Sequence, residues 1–462
     1  MHWIQTPQAI RDFALMLSIA FGAETWVVGG ACRDTVLGDT PHDIDIEITG
    51  LSEYNLTHLP FAQVIPGGDR FGVWIVTFHD ETFEVALPQT RERVGDGHSG
   101  EIAHIDPNLP IEQSLARRDF TANAIAWNVL TEEIVDPFDG IDDIHTGILR
   151  AVNAGNFADD PLRVLRGVQL ASRTGLVPDC PTVSAAQAQI GGFSALSSDR
   201  VRQEWVKWAQ GSTPALGIKF LVECGWIECF PSLNALRETE QDPIWHPEGD
   251  ALTHTIFALE VQPSCDPIIN WAILLHDIAK PHCTATREDG RIISPGHDQL
   301  GADMIPDVLR EFGFEIHGRI PEWVQAVQAI VREHMWAASL SGAPGHRGVR
   351  RLARRLAPAT VRQWGAVCLA DVGGRAIARS ERNSLIDTIL DVAEDATSLG
   401  IVDDGPAKIV TGKLLIEHDI IEPGIAMGKL IDLLFELQLD GWFTDEEIGL
   451  QFARELVENV QL

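Results

Sequence analysis

The rhythm of hydrophobic and polar positions changes about a third of the way along the 462-residue chain. Up to roughly residue 150, short apolar runs and strict alternations dominate. TWVVGG (25–30) predicts a short buried strand closing on a glycine turn, and IDIEI (44–48) alternates with the period of two that a half-buried strand requires. AQVIP (62–66), GVWIVTF (72–78) and TFEVAL (82–87) predict three further strands. Turn-rich pieces such as PGGDRFG join them, and RERVGDGHSG (91–100) predicts a flexible polar loop. Ahead of the strands, residues 1–25 predict an amphipathic helix with Ile10, Phe13, Ala14, Met16, Leu17 and Phe21 on or near one face. No basic start followed by an apolar run and a small-residue cleavage site is present, so no export signal is expected.

Beyond about Arg150 the strand signals nearly vanish. Segments 160–173, 199–210, 217–225, 254–262, 268–280 and 321–334 all carry helical periodicity. The expected fold class is therefore α+β, a small mixed-sheet head followed by an all-helical remainder. Candidate breaks fall at 177–181, 238–247 and 402–407, with no internal repeat. No run of about 18 uncharged apolar residues occurs, so no membrane span is expected.

Charge complicates the picture. The net formal charge is −32, which repels polyanions as a whole. Binding is decided within about a Debye length, roughly 8–10 Å, and arginines concentrate in two places. One runs from Arg347 to Arg382 and the other from Arg150 through Arg163, Arg166 and Arg173 to Arg200, Arg202 and Lys207. Either concentration can be balanced helix surface or a local basic patch. The seven cysteines are scattered without CxxC spacing, which fits reduced thiols and a cytoplasmic location.

Candidate chemistry begins at the first strand. Gly29 and Gly30 followed by a helix that opens with Arg33 and Asp34 form an arrangement suited to phosphate, because glycines permit close backbone approach and Arg33 can fork onto oxygens. Asp43 and Asp45 share one face of the next strand, where two unpaired carboxylates repel unless a cation joins them. Oxygen ligands of this kind suit Mg²⁺, and two ions there suit phosphoryl or nucleotidyl transfer.

The string VGGACRDTVLGDTPHDIDIE (28–47) resembles the nucleotidyltransferase signature of the class II tRNA CCA-adding enzyme and bacterial poly(A) polymerase family. Further matches follow in order. RRDFTANAIAW (117–127) resembles the family's ribose-recognition motif, which implies that Arg118 contacts the nucleotide and Asp119 accepts from the 2′-hydroxyl. DPFDGIDDIHTGILR (136–150) resembles the hinge between head and neck. DDPLRVLR (159–166) resembles the element that reads the incoming base, implying roles for Asp160 and Arg163, with Arg166 beside them. SSDRVRQEW (197–205) resembles a helix-capping element. Departures are Asp159 for a leading Glu, Ala122 for a larger aliphatic residue, and Gln169 where relatives carry another Arg. The last puts one triphosphate contact in doubt, with Arg173 one turn on as a substitute. The polar loop at 91–100 resembles the one that family members need for the final A.

In the helical body, His254 stands in THTIFALE and His276-Asp277 in WAILLHDIAKP, followed by His297, His334 and Asp371. A His-Asp pair in an apolar helix is costly unless something binds it. These residues resemble the HD phosphohydrolase superfamily. The resemblance implies His254, His276, Asp277 and Asp371 as the primary metal set, with His297 and His334 completing it for a second ion. His246 is read as context only. The implied metal is Mg²⁺, Mn²⁺ or a transition metal such as Ni²⁺, and the implied activity is hydrolysis of cyclic phosphates or phosphomonoesters. The segment 408–447 resembles the family's C-terminal region and fits a helix pair.

Taken together, these resemblances imply a nucleotidyltransferase head (1–150), a helical neck (151–240), an HD-type domain (241–385) and a helical tail (386–462). The implied function is untemplated addition of CCA to tRNA from CTP and ATP, with Mg²⁺ at the head. The alternatives are a poly(A) polymerase, an enzyme adding only CC or A, or a tRNA-binding phosphohydrolase with a decayed head.

Overall fold

Alternation in the first third does produce strands. A computed structural model describes residues 4, 6–41, 43–67, 72–93, 101–262, 264–340, 344–377 and 379–459. All five expected strands form: β1 (Glu24–Val28), β2 (Asp45–Thr49), β3 (Gln63–Pro66), β4 (Val73–Phe78) and β5 (Glu81–Ala86). Six more follow in the first unit: β6 (Gln89–Arg93), β7 (Glu101–Ile105), β8 (Ala126–Asn128), β9 (Ile134–Val135) and the parallel pair β10 (Ile148–Leu149) and β11 (Val177–Pro178). Seven strands make one sheet in the order β3-β4-β5-β2-β1-β8-β9. The β2–β5 pairing is parallel and the others antiparallel, so the sheet is mixed. Strands β6 and β7 pair separately as an antiparallel ladder around the expected polar loop. Residues 94–100 of that loop lie outside the described residues.

The predicted first helix spans Gln8–Phe21 and ends on Gly22 at φ 68°. Its buried face carries Ala9, Ile10, Phe13, Ala14 and Leu17. Met16 and Phe21, expected on that face, are instead exposed, because the apolar stripe is narrower than their angular positions.

The chain divides by its contacts into two units, Met1–Cys229 and Phe230–Leu462. The first ends in the packed helices Leu162–Thr174, Ser198–Ala209 and Pro214–Glu223. Gly167 lets the first of these press on aromatic rings, since a Cβ there would meet Phe220 at 2.7 Å and Phe120 at 2.9 Å. Ser197 caps the second by accepting from the Arg200 amide, as the capping resemblance implies.

The second unit is helical apart from a two-residue strand pair, Ala285–Thr286 with Ile292–Ile293. Helices Ala251–Val261, Pro267–Leu275, His297–Glu311, Glu322–Glu333 and Val361–Gly374 carry the histidines and aspartates of interest. The tail has its own apolar core, with Leu415, Leu430, Leu434, Phe443 and Ala453 buried between Ile425–Asp440 and Glu446–Asn459. Among the described residues no helix is long and apolar enough to cross a membrane.

Candidate active site and candidate metal centre

The first unit holds a polar cavity of about 490 Å³ beside β1, β2 and the Leu162–Thr174 helix. Its wall includes Gly29, Gly30, Arg33, Asp43, Asp45, Arg118, Asp119, Arg163 and Arg166, which is every predicted head residue except Asp160. Asp34, Arg117, Asn123, Gln169, Arg173 and Lys207 also line it. Asp160 stands behind the wall. It accepts from the Leu162 amide at 3.2 Å and pairs with Arg200 at 2.6 Å.

Each element places its residue for a local reason. Gly29 turns at φ 72°, ψ −125° to start the Gly30–Leu37 helix, a conformation open essentially to glycine alone. A Cβ there would also lie 2.9 Å from Arg118 Nη1, so the turn makes room for that guanidinium. On its far side Arg118 Nη2 sits 3.6 Å from the buried Glu47 carboxylate. Arg33 does not present a free fork. It donates to Asp34 (2.6 and 2.9 Å) and to Asn123 Oδ1 at 2.6 Å, and Asn123 in turn donates to Asp119 Oδ1 at 3.0 Å. Arg33 therefore braces Asp119 through Asn123.

Asp119 is buried, which raises its carboxyl, but the Arg166 guanidinium, Asn123 and the Phe120 amide outweigh burial and hold it below the ordinary range. Its Oδ2 lies 3.2 Å from Arg166 Nε without hydrogen-bond alignment and is buried with its acceptor capacity unused. Arg173 donates to Gln169 Oε1 at 3.5 Å, so the expected substitute for the missing arginine does reach the wall.

One carboxylate was not foreseen. In the β2–β5 register Ile46 pairs with Val85, and one step back sets Glu84 level with Asp45. Glu84, Asp43 and Asp45 line a second cavity of about 600 Å³. The signal was an acid at an alternating position in TFEVAL, readable only once strand order is known. Carboxylate oxygens of this kind are the donors that a hard cation such as Mg²⁺ takes.

The second unit gathers all six predicted ligands. His254, His276 and Asp371 offer atoms within 4.8 Å of one another, and so do Asp277, His297 and His334. His276, His297 and His334 sit at helix ends, where backbone carbonyls and amides lack intrahelical partners. Each uses Nδ1 to donate to the carbonyl three residues back: Ile273 (2.8 Å), Ser294 (2.8 Å) and Val331 (2.6 Å). His254 Nδ1 faces the Glu248 carboxylate at 2.9 Å. A carbonyl or carboxylate only accepts, so Nδ1 carries a hydrogen in all four rings, and in a neutral ring Nε2 then bears a lone pair.

Those lone pairs converge. His254 Nε2 lies 3.0 Å from Asp371 Oδ1, His276 Nε2 lies 3.1 Å from Asp277 Oδ2, and His297 and His334 face each other Nε2 to Nε2 at 3.2 Å. His276 Nε2 is buried without a hydrogen-bond partner, and Asp277 Oδ2 has the Lys280 ammonium 2.7 Å away. Lone pair against lone pair is stable only with a cation between, and mixed imidazole and carboxylate donors suit a divalent transition metal. Burial together with the neighbouring His297 and His276 pushes His334 down to about 3, so a proton is a poor substitute there. Burial lowers His276 as well, but Asp277 and Asp371 reverse the direction and raise it.

Three buried side chains around this centre escaped sequence reasoning. Lys280 Nζ lies 2.7 Å from Asp277, Arg375 grips Asp371 at 2.7 and 2.9 Å, and Glu248 accepts from His254 and His246. The centre opens on a cavity of about 380 Å³ lined also by Trp245, Arg287 and Arg291.

The later arginine concentration is not a free basic patch. Arg347 and Arg351 pair with Asp440, Arg354 with Glu436, Arg355 with Glu333 and Arg362 with Asp403. The earlier concentration lines the first cavity through Arg163, Arg166, Arg173 and Lys207, and of the later one Arg375 lines the cavity over the metal centre.

Comparison with known proteins fits this division. Residues 25–150 match the Poly A polymerase head domain family. A "Multifunctional CCA protein" of Xylella fastidiosa (strain 9a5c) is 31% identical over 370 residues, covering 76% of this chain and 84% of the relative. Its counterpart in Halorhodospira halophila is 34% identical over 289 residues, 61% of this chain and 67% of the relative. Among solved structures, the Bacillus stearothermophilus CCA-adding enzyme in complex with CTP superposes with a TM-score of 0.61 at 21% identity, over 98% of both chains. The Thermotoga maritima CCA-adding enzyme complexed with tRNA gives 0.53 at 18% identity, over 96% of this chain and 93% of that one. At these identities the structural likeness speaks for the fold.

Proposed function

The chain belongs to the family of CCA-adding tRNA nucleotidyltransferases, and from that premise we propose how its residues divide the work. The first unit extends tRNA 3′ ends with C, C and A from CTP and ATP. The observation that carries this reading is the cavity in which Asp43 and Asp45 face Arg118, Arg163, Arg166, Arg173 and Lys207. Asp43 and Asp45 hold divalent metal, generally Mg²⁺, with Glu84 beside them. The chemistry such metal supplies is activation of the 3′-hydroxyl and charge neutralisation on the leaving pyrophosphate. The cationic wall receives the triphosphate through charge-assisted hydrogen bonds. Asp119 accepts from the ribose hydroxyl with its under-used Oδ2, the contact that separates ribo- from deoxyribonucleotides. Arg163 addresses the base, and Asp160 reaches the base only if it gives up Arg200.

We further propose that the second unit is a metal-dependent phosphohydrolase acting on phosphomonoesters or cyclic phosphates. His254, His276 and Asp371 would hold one ion, and Asp277, His297 and His334 another, of Mn²⁺, Ni²⁺ or Mg²⁺. The chemistry that metal supplies there is a water activated for attack on phosphorus. Lys280, Arg287, Arg291 and Arg375 line the cavity over the centre and suit a phosphate.

One experiment tests both halves. The protein is incubated with tRNA lacking its 3′ end, CTP, ATP and Mg²⁺, and products are resolved at single-nucleotide length. Addition stopping after three nucleotides is expected, whereas a long A ladder or a halt after two refutes CCA synthesis. Asp43→Ala should abolish addition and leave hydrolysis of a cyclic phosphate intact, and Asp277→Ala should do the reverse.

A further inference from the structure

The Glu248 side chain is fully buried, yet it belongs to no predicted ligand set. Three donors converge on it. Oε1 receives His246 Nδ1 at 2.8 Å and His254 Nδ1 at 2.9 Å, and Oε2 receives the Ala376 amide at 3.0 Å. Ala376 follows Arg375, whose guanidinium grips both oxygens of Asp371. One carboxylate thus ties down a histidine and, through the backbone, the environment of an aspartate in the same triad. We infer that Glu248 is the positioning residue that pre-organises the His254–His276–Asp371 ion site by fixing the Nδ1–H tautomer of His254. This rests on the metal-centre reading above.

The argument is one of donors and acceptors. An ionised carboxylate only accepts and has about four lone-pair sites, enough for all three donors. A glutamine in its place cannot satisfy this environment. If the amide oxygen faces the histidines, its NH₂ confronts the Ala376 N–H. If it is turned over, the NH₂ confronts two Nδ1–H groups. His254 relieves that conflict by moving its hydrogen to Nε2, the atom that should face the ion. Partners of this kind, one step behind the ligands, typically change metal affinity by about 10–100-fold.

The test measures metal on the full-length chain and on Glu248→Gln, using Mn²⁺ and Ni²⁺ titrated against a chelating indicator, with bound metal counted by elemental analysis. Two ions per wild-type chain are expected in the second unit, beyond any ion held by Asp43 and Asp45, which is identified by its loss in Asp43→Ala. Glu248→Gln should weaken one by roughly 10–100-fold and leave the other unchanged. Adding His334→Ala in the Glu248→Gln background should remove the ion that survives. Wild-type affinity at both sites in Glu248→Gln overturns the inference, as does equal loss at both in a protein that keeps its near-ultraviolet dichroism. No metal on the wild type overturns the metal-centre reading itself and this inference with it. If Glu248→Gln does not fold, ¹⁵N spectra of metal-free wild-type histidines decide. His246 and His254 should both show the Nδ1–H tautomer, and an Nε2–H tautomer at His254 refutes the inference.

Discussion

Gly29→Ala makes the most demanding prediction for the nucleotide cavity, because one methyl group is opposed by two independent features. The first is conformational. At φ 72°, ψ −125° an L-residue is strained, and such placements cost about 1–3 kcal/mol. For a unit the size of Met1–Cys229, roughly 2–4 °C of Tm accompany each kcal/mol, so a fall of about 2–12 °C is expected. The second is steric. The new Cβ would stand 2.9 Å from Arg118 Nη1. That atom ends a flexible side chain and can move, so the contact adds little to instability. It does push the guanidinium off the cavity wall. A hydrogen bond to a charged group is worth about 1.5–3 kcal/mol, which translates to roughly a 10- to 150-fold rise in KM for CTP and ATP alike. The assay is single-nucleotide extension on trimmed tRNA with each nucleotide varied in turn, beside thermal unfolding. Arg118→Ala separates the two features. In that background Gly29→Ala should lower Tm as before but raise KM little further, since the displaced group is already gone. A normal KM in Gly29→Ala, or KM effects that multiply in the double variant, would refute the reasoning.

Arg173→Ala should raise KM for both nucleotides by about tenfold, the loss of one charge-assisted contact, and Gln169→Arg in that background should restore it. No change in KM would mean that Arg173 only packs. Arg347→Ala and Arg351→Ala should leave tRNA affinity within about twofold and cost no more than about 1 kcal/mol, because their partners are surface carboxylates. A marked loss of tRNA binding would return that helix to the RNA interface. Asp119 is held below its ordinary value of 3.8, so the folded state binds fewer protons there than the unfolded chain. Its stabilisation is complete above that value and disappears as pH falls through the lower folded value. In acid unfolding followed from pH 6 to 2, the gap between wild type and Asp119→Asn should therefore narrow as pH falls.

Local pattern made much of this legible and non-local geometry hid the rest. Short apolar or alternating runs announced β1 to β5, although burial alternates only in β4 and β5 and both faces of β1 and β2 are covered. Strand β8 is three residues long and buried on both faces, so it carries no alternation. Strands β6 and β7 flank a charged loop and pair only with each other. Every motif residue of the head but one lines a single cavity, and each lies within a short string with its own chemistry. Asp160 is the exception, because its partner Arg200 is forty positions away and comes from another helix. Glu84 and Glu248 were missed for the same reason. Neither has meaning until a register or a fold brings another segment beside it.

The strong negative charge is resolved by the same kind of pairing. A chain carrying −32 can still receive a polyanion because screening confines the decision to the few ångströms around the cavity. There, the charge of Asp119 is balanced by Arg166, and Arg33 is held by Asp34 and Asn123. Arg163 and Arg173 are pushed downward mainly by burial, with neighbouring guanidinium groups adding to it. Crowded, poorly hydrated cations are a high-energy arrangement that an incoming triphosphate relieves. The metal centre is built with the opposite sign. Its carboxylates are held ionised by His276, Lys280 and Arg375, while four imidazole Nε2 atoms are aimed inward and that of His276 meets no hydrogen-bond partner. Each site is therefore incomplete in the charge that its ligand brings, one lacking anions and the other lacking cations. Sites so polarised bind their ligands by relieving repulsion already present in the fold, which is why the acidic surface elsewhere does not prevent either.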